Sequence, residues 1–261
     1  MLTFLQQAHI IILHYTKSVM SNAKQACGST LFRDMELTDP TSLIILEDMK
    51  MKTAILVDGG FYRKRAAFLW GKKTAEARAK ELQAYCQQHL KDVHEQTSLY
   101  RIFYYDCPPI KKSIYHPLTK KNVDLDKSDT FIWAKTFLDE LKKSRKFALR
   151  LGTLSDNGTG YNLKPETTKN LCAGKITVAD LTENDFVLTM NQKGVDMRIG
   201  IDIASITYKK QVDQIILIAG DSDFVPAAKM ARREGIDFIL DPMWADIKSD
   251  LFEHIDGLHS C

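Results

Sequence analysis

Apolar residues follow two rhythms along this chain. Continuous runs mark strands buried on both faces, and spacings of three to four mark helices. Thr53–Val57 is a continuous run that stops at Asp58-Gly59-Gly60. Phe61–Trp70 then reads as a helix with Arg63, Lys64 and Arg65 in its first turn. Ala75–Val93 is a second helix, apolar at Leu82, Tyr85, Cys86, Leu90 and Val93. Leu99–Tyr105, aromatic and β-branched, predicts a second strand. It is closed by Asp106-Cys107-Pro108-Pro109, where proline cannot continue a ladder. Strand, helix, strand in this order builds a right-handed parallel crossover.

The pattern continues to the end of the chain. Thr130–Lys143 predicts an amphipathic helix that faces the core with Phe131, Ala134, Leu138 and Leu141, and Lys146–Leu151 a third strand. Ser155–Lys175 is polar and glycine-rich and reads as a long loop. Asp185–Met190 reads as a short strand. A helix then opens near Asp196 and buries Ile199, Ile203 and Ile206. Gln214–Ala219 is the next buried strand, ending in Gly220-Asp221-Ser222-Asp223. Phe224–Glu234 follows as a helix with Pro226 in its first turn, where proline is tolerated, and Gly235 ends it. Ile236–Leu240 is the last strand expected. Ala245–Ile255 predicts a closing helix, with Ile247, Leu251 and Ile255 four apart. The expected class is α/β with a mainly parallel sheet.

Residues 1–50 do not share this organisation. Phe4–Leu13 is apolar but broken by Gln6, Gln7 and His9, and it lacks the basic start of a signal peptide. The stretch reads as a loose extension or an over-called start, with a docking helix at 1–20 as the alternative. The folded domain is expected to span 51–261, with a basic insertion at about 110–184.

Composition adds limits. The 261 residues are 44% hydrophobic and 26% charged, with a formal net charge of +3, values of an ordinary protein with a real core. Five scattered cysteines, with no Cys-x-x-Cys pair, argue against a disulfide framework and for a reduced, cytoplasmic protein. No apolar run approaches the roughly 18 residues of a membrane span. The charge is uneven, however. Residues 110–150 hold eleven basic against five acidic residues, a local excess of +6, with Tyr115, Phe131, Trp133 and Phe137 interleaved. Basic charge with aromatics suits a nucleic-acid backbone and stacked bases. A solvated amphipathic helix explains part of the same pattern.

The candidate chemistry lies in the acids. In an open parallel sheet, ligands bind beyond the carboxyl ends of the strands. Asp58 and Asp221 end strands, Asp223 follows two residues later, and Asp196 opens the helix that feeds the Asp221 strand. Each acid alone is explained as a cap. Together they would repel one another, and Mg²⁺ or Mn²⁺ held by Asp58, Asp196 and Asp221 resolves that. Such a cluster suits phosphodiester hydrolysis. Asp202 is a weaker candidate, since six residues from Asp196 places it about 120° round an ideal helix. Lys193 and the basic turn Arg63, Lys64 and Arg65 are candidate phosphate ligands. No histidines pair at i,i+4, and none stands beside a nucleophile, so neither a zinc centre nor a Ser-His-Asp triad is expected.

AILVDGG, RIFYYDCPP, KGVD followed by GIDIA, and IILIAGDSDFVPAAKMARREG resemble the NYN domain, a PIN-like nuclease family that includes the LabA-like proteins. The resemblance covers roughly Met51–Leu240. It implies a PIN-like three-layer α/β/α sandwich and an acidic Mg²⁺ site used to cleave RNA; single-stranded RNA is the expected partner. The motif acids fall on Asp58, Asp196, Asp221 and Asp223, and Asp202 matches a recurrent acidic position. A metal-dependent endoribonuclease is therefore the expectation, with a homodimer as one open arrangement. The alternative is a catalytically silent RNA-binding or regulatory module. A haloacid-dehalogenase site wants a second Asp where Gly60 stands. A Rossmann site wants G-x-G-x-x-G, which does not follow the first strand.

Overall fold

The computed structural model describes residues 51–93 and 97–261, with side chains omitted at 92, 93 and 156–158. The expectations for residues 1–50 and for the Val93 side chain lie outside the described residues.

Strand β1 (Met51–Asp58) leads into α1 (Gly59–Trp70) and α2 (Ala75–Val93), then β2 (Thr97–Asp106). A hairpin of β3 (Ser113–His116) and β4 (Lys121–Asp124) precedes α3 (Asp129–Lys142) and β5 (Phe147–Leu151). Next come β6 (Thr153–Leu163), α4 (Pro165–Cys172), β7 (Phe186–Lys193), α5 (Val195–Tyr208) and β8 (Gln214–Ile218). The chain closes with α6 (Val225–Arg233), β9 (Asp237–Asp241), α7 (Ser249–Phe252) and β10 (Gly257–Leu258).

Six of these strands form one sheet in the order β10-β9-β8-β1-β2-β5, and every pair is parallel. Alternation along β1 sorts its side chains into two cores. Ile55 and Val57 pack with Tyr62, Ala66, Leu82 and Phe137 from α1, α2 and α3. Ala54 and Leu56 pack with Ile199, Ile203 and Ala228 from α5 and α6. Helices thus cover both faces, which gives the three-layer α/β/α sandwich. Each such fully buried aliphatic contributes about 1.5–3 kcal/mol relative to exposure.

The topology fixes where a site can lie. From β1 the chain builds outward through β2 to β5, then returns to place β8 on the other side of β1. That reversal opens a crevice at the carboxyl ends of β1 and β8. Asp58 ends β1, and Asp221 follows β8 by three residues.

Several local expectations require correction. Ser155–Lys175 is not a loop. Its first part belongs to the strand β6, paired antiparallel with β7 from Thr153↔Lys193 to Leu163↔Phe186, and most of the rest forms α4. Its polar residues are tolerated because the ribbon stands apart from the main sheet. The segment 110–184 is also not one insertion, since α3 and β5 belong to the sandwich. The additions are the two hairpins, which meet where the His116 ring lies 4.3 Å from Tyr161 and 5.1 Å from Phe186. Phe137 is 1% exposed and stacks on Trp133, so it is a core residue and not a surface for bases. The closing helix shrinks to Ser249–Phe252. Met243 and Trp244 take left-handed backbone angles just before it, and the chain runs irregularly to Lys248. Leu251 and Ile255 are nonetheless buried, so their spacing reported burial correctly and helix incorrectly.

Candidate active site at the carboxyl edge of the sheet

Asp58 is the N-cap of α1, and its Oδ1 accepts the Phe61 N–H at 3.1 Å. Asp221 caps the short 3-10 turn Ser222–Phe224, its Oδ1 accepting the Asp223 N–H at 3.2 Å. Asp196 stands in the first turn of α5, where a carboxylate complements the helix dipole. Asp58 and Asp221 therefore cap the turns they open, whereas Gly194 is the N-cap before Asp196 and Phe224 the N-cap after Asp223; the four acids are neighbours as well.

Close backbone approach brings them together. A Cβ on Gly59 would lie 2.4 Å from the Tyr104 hydroxyl and 2.6 Å from the Tyr105 carbonyl. Only glycine lets α1 start so tightly against β2. A Cβ on Gly220 would lie 2.5 Å from the Phe61 ring, so the turn after β8 is pressed against α1 in the same way. An open cleft of about 550 Å³ results, lined by Asp58, Phe61, Lys64, Arg65, Phe68, Gly220 and Asp221.

The electrostatics follow from this crowding. Burial pushes the Asp58 carboxyl above its ordinary value, the Phe61 N–H pulls back, and the charges of Asp196 and Asp106 push up again. Asp196 is raised by partial burial and then by the charges of Asp221 and Asp223. Asp196 is thus the electrical link between Asp58 on one side and the Asp221–Asp223 turn on the other. Among the described residues, however, no three of these carboxylates bring ligand oxygens within 4.8 Å of one another. They are neighbours that have not converged. Asp196, Asp221 and Asp223 are exposed, so their side chains can turn toward a common ion. An all-carboxylate donor set of this kind fits a hard divalent cation such as Mg²⁺ or Mn²⁺.

The basic candidates divide. Arg63 turns inward, with Nη2 3.0 Å from Asp106 Oδ1 and Nε donating to the Gly59 carbonyl. Arg65 donates to the carbonyls of Met243 and Trp244 at 2.7 and 2.6 Å, and its guanidinium lies over the Phe68 ring. Lys64 and Lys193 are exposed, and neither forms an ion pair among the described residues. Lys64 lines the cleft, and Lys193 ends β7 three residues before Asp196. Asp202 lies apart from this group. It accepts from Arg150 Nε and from the Tyr105 hydroxyl, both at 2.8 Å, and so ties α5 to the sheet.

Two site neighbours had gone unmarked. Asp106 ends β2 beside Asp58 and is 2% exposed. Burial raises its carboxyl, while Arg63 and the Cys107 N–H hold it down. The signal was present, since β2 ends in an acid as β1 does, but the prolines beyond it drew the reading toward a strand stop. Gln192 brings Oε1 to 3.7 Å from the Cβ position of Gly60, so the β6–β7 ribbon reaches the site. No hydrophobic rhythm marks that residue.

A second cleft, of about 660 Å³, lies at the amino end of β9 beside Arg232, Arg233 and His254. Its carboxylates are already engaged: Asp256 by Arg232 and the Phe238 N–H, and Asp237 by Gln214. It lies at the opposite end of the strands from the acidic group.

A family model described as NYN domain matches residues 115–251, more than half of the chain. The match begins after β2, so Asp58 and Asp106 lie outside it. A crystal structure of a protein of unknown function from Vibrio parahaemolyticus aligns over 81% of this chain and 93% of its own, with 16% identity and a TM-score of 0.43. A structure of Sir2Tm bound to a propionylated peptide aligns over 84% and 91%, with 9% identity and a TM-score of 0.31. Likenesses at that level carry no functional weight. No curated protein matches. No helix among the described residues is long and apolar enough to cross a membrane. The family match covering 115–251, on a parallel α/β/α sandwich, shows that this chain belongs to the NYN domain family, a family of nuclease-like PIN-fold modules that commonly use divalent metals.

Proposed function

We propose that this protein is a Mg²⁺- or Mn²⁺-dependent endoribonuclease that cleaves single-stranded RNA at the carboxyl edge of the sheet. The observation that carries the reading is the coupling of Asp58, Asp196, Asp221 and Asp223 at the β1–β8 crevice, with no ion pair to any of them among the described residues. Asp58, Asp196 and Asp221 would hold the ion, and Asp223 would ligate a second ion or orient water. When bound, the ion supplies an activated water and steadies charge on the phosphate.

The remaining work falls to the chain itself. Lys64, which lines the cleft, and Lys193, at the end of β7, are the side chains to meet phosphate oxygens. Arg63 and Arg65 act less directly. Arg63 pairs with Asp106 and favours its charged form, and Arg65 anchors the Met243–Trp244 turn to α1. Exposed Phe68 and the half-buried Phe61 offer apolar faces beside the phosphate path, where bases can stack. Several cations of the basic segment 110–150 are engaged within the protein, some by acids that its excess of +6 already counts. Lys127, Lys142 and Lys143 pair with acids three residues away, and Arg150 pairs with Asp202.

The separation of the acids in this structure favours one rival, a module that binds RNA without cutting it. Incubating purified protein with mixed RNA and DNA, with Mn²⁺ or with EDTA, tests the proposal. Cleavage of RNA that EDTA stops supports the nuclease. Binding that persists in EDTA, with no products under either condition, supports the silent module.

A further inference from the structure

A second potential metal centre uses none of the crevice acids. His89, His259 and Cys261 bring one ligand atom each within 4.8 Å of one another, and they are the one such trio among the described residues. His89 is fully buried on α2, and its ring meets His259 edge to face with centroids 5.5 Å apart. Behind it stands Asp241, also fully buried, at the carboxyl end of β9.

The hydrogen bonds around Asp241 assign the protons on His89. Asp241 Oδ2 accepts from the Tyr85 hydroxyl at 2.6 Å and meets His89 Nε2 at 2.8 Å. Asp241 Oδ1 accepts from the Met243 N–H at 2.7 Å and the Ser260 hydroxyl at 2.6 Å. Ringed by donors, the carboxylate is an acceptor, so His89 Nε2 carries the hydrogen between them. In that tautomer the lone pair lies on Nδ1. That atom is buried and has no hydrogen-bond partner among the described residues. A buried ring nitrogen without a partner costs stability and needs a reason. A carboxylate behind one histidine nitrogen with the other nitrogen bare is how metal-bound histidines are commonly oriented.

We infer that His89 Nδ1, His259 and the Cys261 thiolate bind one Zn²⁺ ion. Two imidazoles and a thiolate select a borderline-soft ion over Mg²⁺. Cys86 lies three residues before His89 on the same buried side of α2 and is an electrostatic neighbour of Cys261. Among the described residues no fourth His, Cys, Asp or Glu ligand atom joins the three within 4.8 Å. The role is structural. The ion pins residues 259–261 to α2 and to the Asp241 turn. That turn continues into Met243 and Trp244, whose carbonyls hold Arg65 in the crevice. The centre depends on none of the four crevice acids, so it stands whether or not the chain cleaves RNA.

The test is metal analysis of the full chain, produced with zinc supplied and purified without chelator. About one zinc per chain is expected, the stoichiometry of a mononuclear structural centre, and Asp221→Asn retains it equally. Cys261→Ser and His259→Asn, at partly exposed positions, lose most of the zinc while keeping the circular dichroism of the wild type. Replacement by Co²⁺ in the wild-type protein, which needs no variant to fold, gives a sulfur-to-cobalt charge-transfer band. Wild-type protein free of zinc, a Co²⁺ spectrum without that band, or zinc undiminished in folded forms of both variants overturns the inference.

Discussion

Arg63 holds Nη2 3.0 Å from Oδ1 of Asp106, a carboxylate only 2% exposed at the end of β2. A basic residue that opens a helix reads as a phosphate ligand, yet here it is the counter-charge for a buried acid beside Asp58. Arg63→Ala leaves Asp106 buried with only the Tyr104 hydroxyl and the Cys107 N–H as partners. Loss of a hydrogen bond between charged groups predicts a destabilisation of about 2 kcal/mol. Urea unfolding measures it, and an unchanged midpoint contradicts the pairing.

Gly59→Ala tests the approach that builds the crevice. The added methyl meets the Tyr104 ring and the Tyr105 backbone, and a carbonyl cannot swing aside as a flexible side chain can. Overpacking of this kind predicts a loss of about 3 kcal/mol. A melting temperature equal to that of the wild type contradicts the geometry.

The Asp58 carboxyl predicts a pH dependence of opposite sign to that of a salt-bridged acid. Its pKa is raised in the folded state above the ordinary 3.8, chiefly by burial. The folded chain therefore holds more protons than the unfolded chain in that window, and stability falls as pH rises through it. Above the raised value the curve levels off. Without divalent cations, Asp58→Asn keeps the cap and flattens this fall, which urea midpoints across acidic pH record. A variant slope as steep as the wild type assigns the effect to other acids.

Asp202→Asn separates structure from chemistry. Asp202 is tied to Arg150, which is 40% exposed, so the pair contributes about 1 kcal/mol or less. The variant is expected to lose that much stability and to keep RNA cleavage. Loss of cleavage with the fold intact brings Asp202 into the active site.

The sheet was legible because burial on both faces leaves an unmistakable trace. Ala54–Val57 and Ile215–Ile218 are apolar without interruption and fully buried. The position of the crevice acids was legible for a related reason, since more than one such run ends in charge at the same edge of the sheet. The β6–β7 ribbon was not, because its strands pair with each other and need no apolar rhythm. Nor was His89, a polar residue on a helix face whose partners lie more than 150 residues away in Asp241, His259 and Cys261. The closing helix was half legible: Ile247, Leu251 and Ile255 keep a helical spacing, but the chain from the left-handed Met243 and Trp244 to Lys248 is irregular.

Cleavage of single-stranded RNA by wild type and Asp221→Asn, side by side in Mn²⁺, tests the shared cation most directly. The wild type is predicted to produce fragments that EDTA suppresses, and the folded variant to produce none. Equal cleavage by the two proteins, or wild-type cleavage indifferent to EDTA, contradicts it.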